Sequence, residues 1–327
     1  MIIDGWELAS ASLNLFVSLC AISINVLMLY LVLTATPSAM KTYSMMMVNF
    51  SITYLFSSTS YFLTLPRIWA ASDKLLFFFY GLCGPIGGGH FCFGLYSVLK
   101  MSYMQTMYCV LISVIFRYKM LKDGSINLKI YAGFIVLLWV FIIGSCGGFY
   151  WVRLEDYLVD QTMLEIGIFD KFNNIYRSGI DDVFGHYMIL CAYYFFPCVV
   201  CSGIAAVLIM KSRKIIDDQA SILSAKTIRL QKDLLKALTL QSLLPLELLL
   251  MFIIYFVNQV IYQNPLLEIL VMLSVGLDPL LSAAVTVFSI SPYRNKILRL
   301  FRIKGSNSQV SDGPSSKAPF SMTQMHM

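Results

Sequence analysis

Ionisable side chains inside long apolar runs are where this chain could do chemistry. Lys100, Glu247, Glu268 and Asp278 stand in such runs. A charge there is costly and turns toward a partner, a cavity or water. Lys100 precedes Arg117 by 17 residues, roughly 25 Å along a helix rising about 1.5 Å per residue. Phe93, Tyr96, Tyr103 and Met107 share its helical face through spacings of three and four. Glu247, two residues beyond Pro245, and Glu268 fall at depths compatible with Lys100. Two readings stay open. Lys100 pairs with one of these carboxylates or snorkels to the surface, or the group forms a ligand cavity under an aromatic lining. Asp278 is expected apart from them, nearer the opposite end, where Pro279 frees a backbone carbonyl. It reads either as a rearrangement point or as a structural hydrogen-bonding acid.

Catalysis finds little support. The chain has 3 histidines and lacks His-Glu-x-x-His, P-loop and Gly-x-Ser-x-Gly patterns. No enzyme activity, cofactor or metal site is expected.

The elements that must position these groups are membrane helices. Of 327 residues, 58% are hydrophobic and 13% charged, about half the charged share of soluble domains. Several apolar runs exceed the roughly 18 residues that separate a membrane span from a buried core helix. Spans are expected at about 8–33, 44–65, 89–116, 128–150, 185–210, 234–257 and 266–290. The first run, preceded by Asp4 and Glu7, reads as a span and not as a cleaved signal. The third is the hardest to place, because the apolar stretch begins at Leu75 and reaches Phe116. Two helices there would leave no room for a turn. The glycines from Gly81 to Gly89 instead predict a loop followed by one long helix.

Charge asymmetry orients the bundle. Of the 24 Lys and Arg, only Arg67, Lys74, Arg153, Lys171 and Arg177 fall in the segments shared with the N-terminus, and Lys100 lies within a span. The rest fall on the other side, which predicts the N-terminus outside and the C-terminus inside. After Ser291, apolar Ile297, Leu298, Leu300 and Phe301 alternate with Arg294, Lys296, Arg299, Arg302 and Lys304. That pattern predicts a short interfacial helix over 292–303 on an anionic inner surface. A seven-span domain of 1–304 is then followed by a Ser-rich tail, 305–327, with no apolar period, expected to be disordered. The outer loop from Trp151 to Phe184 is acidic and reads as a solvated loop sooner than as a cation site. Asn49-Phe50-Ser51 lies inside the second span and is read as chance, not as a glycosylation acceptor.

Four stretches carry a resemblance. They are Lys41-Thr42-Tyr43-Ser44 through Val48-Asn49-Phe50; Phe116-Arg117-Tyr118; Leu235 to Pro245; and Asp278-Pro279-Leu280 with Pro292-Tyr293-Arg294. In order and spacing the chain resembles the nematode chemosensory serpentine receptors, G-protein-coupled receptors of the group containing classes str, srh and srd, and most of all class delta. The resemblance implies an all-α, seven-transmembrane bundle that binds a small external chemical between the outer halves of its helices. It also implies signalling to a heterotrimeric G protein, at the plasma membrane of a sensory neuron, in its cilium. Tyr96, Lys100, Tyr103, Tyr187, Glu247 and Glu268 are then the candidate cavity residues. Activation and coupling would involve Arg117 and Tyr118, the kink at Pro245, Asp278-Pro279, and Pro292, Tyr293 and Arg294.

The departures are equally specific. Phe116 occupies the place of the usual acid before the arginine, and Tyr54 that of the usual span-two aspartate, which weighs against a sodium-type site. The loop 151–184 has no cysteine, so Cys83 would pair with Cys146 or stay free. A seven-span ligand-gated channel, a transporter of a small solute and a receptor-like protein without signalling of its own are the rival readings. The charge asymmetry argues against the first, and the lack of an inverted repeat against the second.

Overall fold

The computed structural model describes residues 5–36, 41–71, 74–124, 127–172, 174–181, 188–219, 225–258 and 264–300. The predicted tail and Tyr187 lie outside the described residues. Helices form at α1 (Gly5–Ala35), α2 (Lys41–Thr64), α3 (Cys83–Asp123), α4 (Leu128–Trp151), α5 (Asp156–Glu165), α6 (Phe169–Phe172) and α7 (Met188–Asp218). They continue with α8 (Ala225–Gln241), α9 (Leu244–Val257), α10 (Pro265–Ser289) and α11 (Ser291–Leu300). Three strands, β1 (Pro66–Ala71), β2 (Lys74–Phe79) and β3 (Tyr176–Ile180), complete the described elements.

The long helices pack as a seven-helix membrane bundle. α1, α3, α4, α7 and α10 are each long and apolar enough to cross a bilayer. α2 and the α8–α9 pair are not, and each has a chemical reason. α2 is rich in Ser and Thr, whose hydroxyls bond back to the preceding turn: Ser51 to the Met47 carbonyl at 3.1 Å, Ser58 to Tyr54 at 2.7 Å and Thr64 to Ser60 at 2.7 Å. These three hydroxyls are satisfied within their own helix, which lowers the cost of burying them. α8 stops at Gln241 and α9 restarts at Leu244, with Pro245 in its first turn, where the missing N–H costs nothing. α4 buries only Tyr131, Ile142 and Phe149; a helix this apolar and this bare faces lipid.

One end of the bundle carries a cap that the expected loops did not include. β1, β2 and β3 form an antiparallel sheet in that order, with Pro66 opposite Phe79 and Leu75 opposite Ile180. β2 is the central strand and is buried on both faces. Leu75, Phe77 and Phe79 pack on the bundle with Phe93 and Tyr96. Leu76 and Phe78 pack the other way, against Val159, Met163 and Phe172. An apolar run without alternation is what a doubly covered strand looks like, and periodicity cannot distinguish it from a helix.

The acidic segment after α4 is likewise no open loop. It forms α5, α6 and β3, with Asp160 held by Arg177 at 2.6 Å and Asp156 by Arg153 at 2.7 Å. α3 begins earlier than the glycines suggest. It runs from Cys83 through a break at Gly87 and Gly88, where Gly88 takes φ 70°, a left-handed conformation that favours glycine.

Candidate functional site

Beneath the sheet lies a cavity of about 130 Å³. α3 supplies one wall through Tyr96, Lys100, Tyr103 and Met107, the face anticipated from helical spacing. Phe93, on the same face, packs into the aromatic cluster with Phe77 and Phe149 instead, at 5.5 and 5.6 Å between ring centres. α9 contributes Leu249, Met251 and Tyr255, and α10 contributes Val271, Met272, Val275 and Asp278. Pro66 and Ile68 of β1 close the top. The Lys100 Nζ stands 5.3 Å from the centre of the Tyr96 ring, a cation–π distance.

The register of α3 on α10 is set by a proline. Pro279 has no N–H, so the carbonyl four residues earlier loses its helical donor. That carbonyl belongs to Val275, and the Tyr103 hydroxyl donates to it at 2.9 Å. Two further cross-links fix α10. The Tyr61 hydroxyl donates to the Met272 carbonyl at 2.6 Å, and the Asn25 amide donates to the Pro279 carbonyl at 3.1 Å. Gly276 permits the first, since a Cβ there would lie 2.9 Å from the Tyr61 ring.

This register corrects the expected position of Asp278. Expected apart from Lys100, it lines the same cavity and is 1% exposed. Among the described residues neither of its carboxylate oxygens has a hydrogen-bond partner. Sequence depth along one helix could not show this, because it depends on how α3 and α10 slide against each other.

Glu268 goes elsewhere. Its carboxylate receives the Arg67 guanidinium through Nε at 2.9 Å and Nη2 at 3.3 Å. The pair lines a second, smaller hollow with Ser10, Asn14 and Tyr80. Burial pulls the Arg67 guanidinium down, but the adjoining carboxylate outweighs it and holds the group above its ordinary value. Glu247, half-buried in the first turn of α9, is not among the residues that line the main cavity. Arg67 and Tyr255 were missed as site residues. Arg67 directly follows the second span and could have been suspected as a partner for Glu268; Tyr255 carries no distinguishing signal.

Cys83 pairs with Cys92 and not with Cys146. The first turns of α3, bent at Gly87–Gly88, bring the two Cα atoms to 5.2 Å, within disulfide range. Cys146 remains a thiol.

At the opposite end of the bundle Arg117 is 7% exposed, and its Nε and Nη2 have no hydrogen-bond partner among the described residues. Phe116, in the usual acid's place, packs edge-on against Tyr131 at 5.0 Å and lies 6.4 Å from Tyr43. Tyr118 is half-buried beside it. Tyr293 is fully buried, bonding Thr36 at 2.9 Å and Met47 Sδ at 3.3 Å, and so ties α11 to α1 and α2. Arg294 donates to the Phe288 carbonyl at 3.2 Å, and Pro292 sits half-buried in the first turn of α11. Asn49 is buried; its amide donates to Cys109 Sγ at 2.8 Å and accepts from Trp139 at 2.9 Å.

A seven-helix membrane bundle with a capped, polar-floored cavity at one end and a basic terminal helix at the other is the architecture of a serpentine receptor. The chain belongs to the family described as "Serpentine type 7TM GPCR chemoreceptor Srd", whose model matches residues 11–299. It is 25% identical over 305 residues to Serpentine receptor class delta-3 of Caenorhabditis elegans, covering 85% of this chain and 83% of that one. Class delta-19 of the same organism is 25% identical over 297 residues, with 85% and 84% covered. Class delta-1 is 24% identical over 295 residues, with 87% and 78% covered. The chain is thus a chemosensory receptor of the G-protein-coupled type and not an enzyme.

Proposed function

We propose that the cavity beneath the sheet is where this receptor takes up a small external chemical. The observation that carries this reading is a cavity of about 130 Å³ lined by α3, α9 and α10, three helices that a ligand there would touch together. In this reading the sheet end faces outside and α11 lies along the inner leaflet, as the Lys and Arg distribution favours. Tyr96, Lys100, Tyr103 and Asp278 contact the ligand. Glu268 acts through its pairing with Arg67, which anchors the cap to α10.

A ligand shifts the receptor only if it prefers the active arrangement. The proline-weakened points offer the freedom: the α8–α9 break ahead of Pro245 and the turn at Pro279. Movement there would uncover Arg117 and the basic face of α8 to a heterotrimeric G protein. We place the receptor at the plasma membrane of a sensory cell, in its cilium.

The test is a calcium and cyclic-nucleotide response to a chemical panel, in cells expressing the chain with and without G-protein inhibition. A response abolished by the inhibitor is expected. A current that survives inhibition would replace this reading with a channel.

A further inference from the structure

Resting on the cavity as the ligand site, its lining narrows the class of ligand. The volume, about 130 Å³, approaches the roughly 150 Å³ in which benzene is accommodated, so the ligand has about six to ten non-hydrogen atoms. The flanks are apolar and rich in thioethers, with Met104, Met107, Met251 and Met272. Such walls adapt to shape but offer no strong hydrogen bond.

Most hydroxyls at the wall are already spent on backbone carbonyls. Tyr103 donates to Val275 at 2.9 Å, Thr106 to Ser102 at 2.9 Å and Tyr255 to Ile68 at 2.9 Å. Asp278 differs from these three: it is 1% exposed, and both its oxygens are without a hydrogen-bond partner among the described residues. A buried carboxylate without a donor is costly and uncommon. The Tyr103–Val275 bond sets the levels of the two charged groups. Lys100 stands one turn toward the sheet from Tyr103, and Asp278 one turn the other way from Val275, roughly 9 Å apart along the bundle by helical rise. A cation at Asp278 therefore stays clear of the Lys100 ammonium, which sits over Tyr96.

We propose that the cavity takes a compact, mainly apolar primary amine, held in its protonated form with the ammonium against the Asp278 carboxylate. The cation supplies the donor that the carboxylate lacks, through a charge-assisted bond about twice as strong as a neutral one.

The test is saturation-transfer NMR and competition binding on the purified full chain in lipid nanodiscs, with benzylamine, benzyl alcohol and benzoate as matched probes. Benzylamine should bind best, and Asp278→Asn should weaken it at least tenfold while changing benzyl alcohol by less than threefold. Met107→Phe, which fills the cavity without touching the carboxylate, should abolish benzylamine binding, so the idea stands or falls even if Asp278→Asn does not fold. Absence of benzylamine binding, equal binding to both chains, or a preference for benzoate overturns it. Responses in cells separate the two claims. Asp278-dependent amine binding without an inhibitor-sensitive response keeps this inference and removes the coupling reading. Inhibitor-sensitive responses to neutral or acidic chemicals only, unaffected by Asp278→Asn, do the reverse.

Discussion

Tyr103 shows how one side chain can hold two roles. Its ring lines the cavity while its hydroxyl covers the carbonyl that Pro279 exposes. Removing the hydroxyl leaves that buried acceptor unpaired, a loss of about 1–3 kcal/mol. Tyr103→Phe should therefore lower the unfolding temperature of the purified receptor. An unchanged temperature would mean that the proline turn is covered in some other way. Tyr61, which bonds the Met272 carbonyl one turn away, is the comparison: that carbonyl also has its helical donor, so Tyr61→Phe should cost less. The aromatic face of α3 was readable from spacing alone, because 3.6 residues per turn dictate which side chains stand together. The destination of the Tyr103 hydroxyl was not, since it depends on a carbonyl in another helix.

Among the elements, the start of α3 and the cap are mutually dependent. The Cys83–Cys92 bridge closes the turns around Gly87–Gly88. A closed loop this short contributes about 2–3 kcal/mol by restricting the unfolded chain. Cys83→Ser should expose Cys92 to thiol labelling and lower surface expression. Cys146→Ser should do neither, and labelling of Cys83 in that variant would indicate the other pairing. Cys83, Cys92 and Cys146 all read as lying near the outer face, and the pairing was hidden because it depends on the early start of α3 and its bend at Gly87–Gly88, which bring Cys92 within reach of Cys83. The cap was hidden for a related reason. Leu75 to Phe79 has no period, and only the cover on both sides, bundle below and α5–α6 above, reveals a strand.

Across the whole molecule, the Arg67–Glu268 pair joins the cap to α10 over 201 residues of chain. Breaking one side of a largely buried pair strands the other charge, at a cost of about 3–5 kcal/mol. Arg67→Ala and Glu268→Gln should each reduce surface expression or raise the half-maximal ligand concentration. The exchange Arg67→Glu with Glu268→Arg should recover part of the loss; no recovery, with all chains at the surface, would deny the clamp its role. Orientation is tested separately with terminal epitope tags. The N-terminal tag should be reached by antibody on intact cells, and the C-terminal tag only after permeabilisation.

What the sequence determined by itself were the properties that depend on one helix at a time. The length and apolarity of the runs required a membrane bundle, the Lys and Arg distribution pointed to an orientation, and residues 96, 100, 103 and 107 fell on one face through helical periodicity. The matching motifs were local too, which is why the receptor family could be named from them. Only the tertiary structure decided what depends on two elements meeting. It paired Glu268 with Arg67, seated Asp278 in the same cavity as Lys100, joined Cys83 to Cys92 and folded the expected loops into a sheet. Each of these rests on the offset between neighbouring segments. That offset is set by packing and by orphaned backbone groups seeking partners, and a linear pattern does not encode it in any one place.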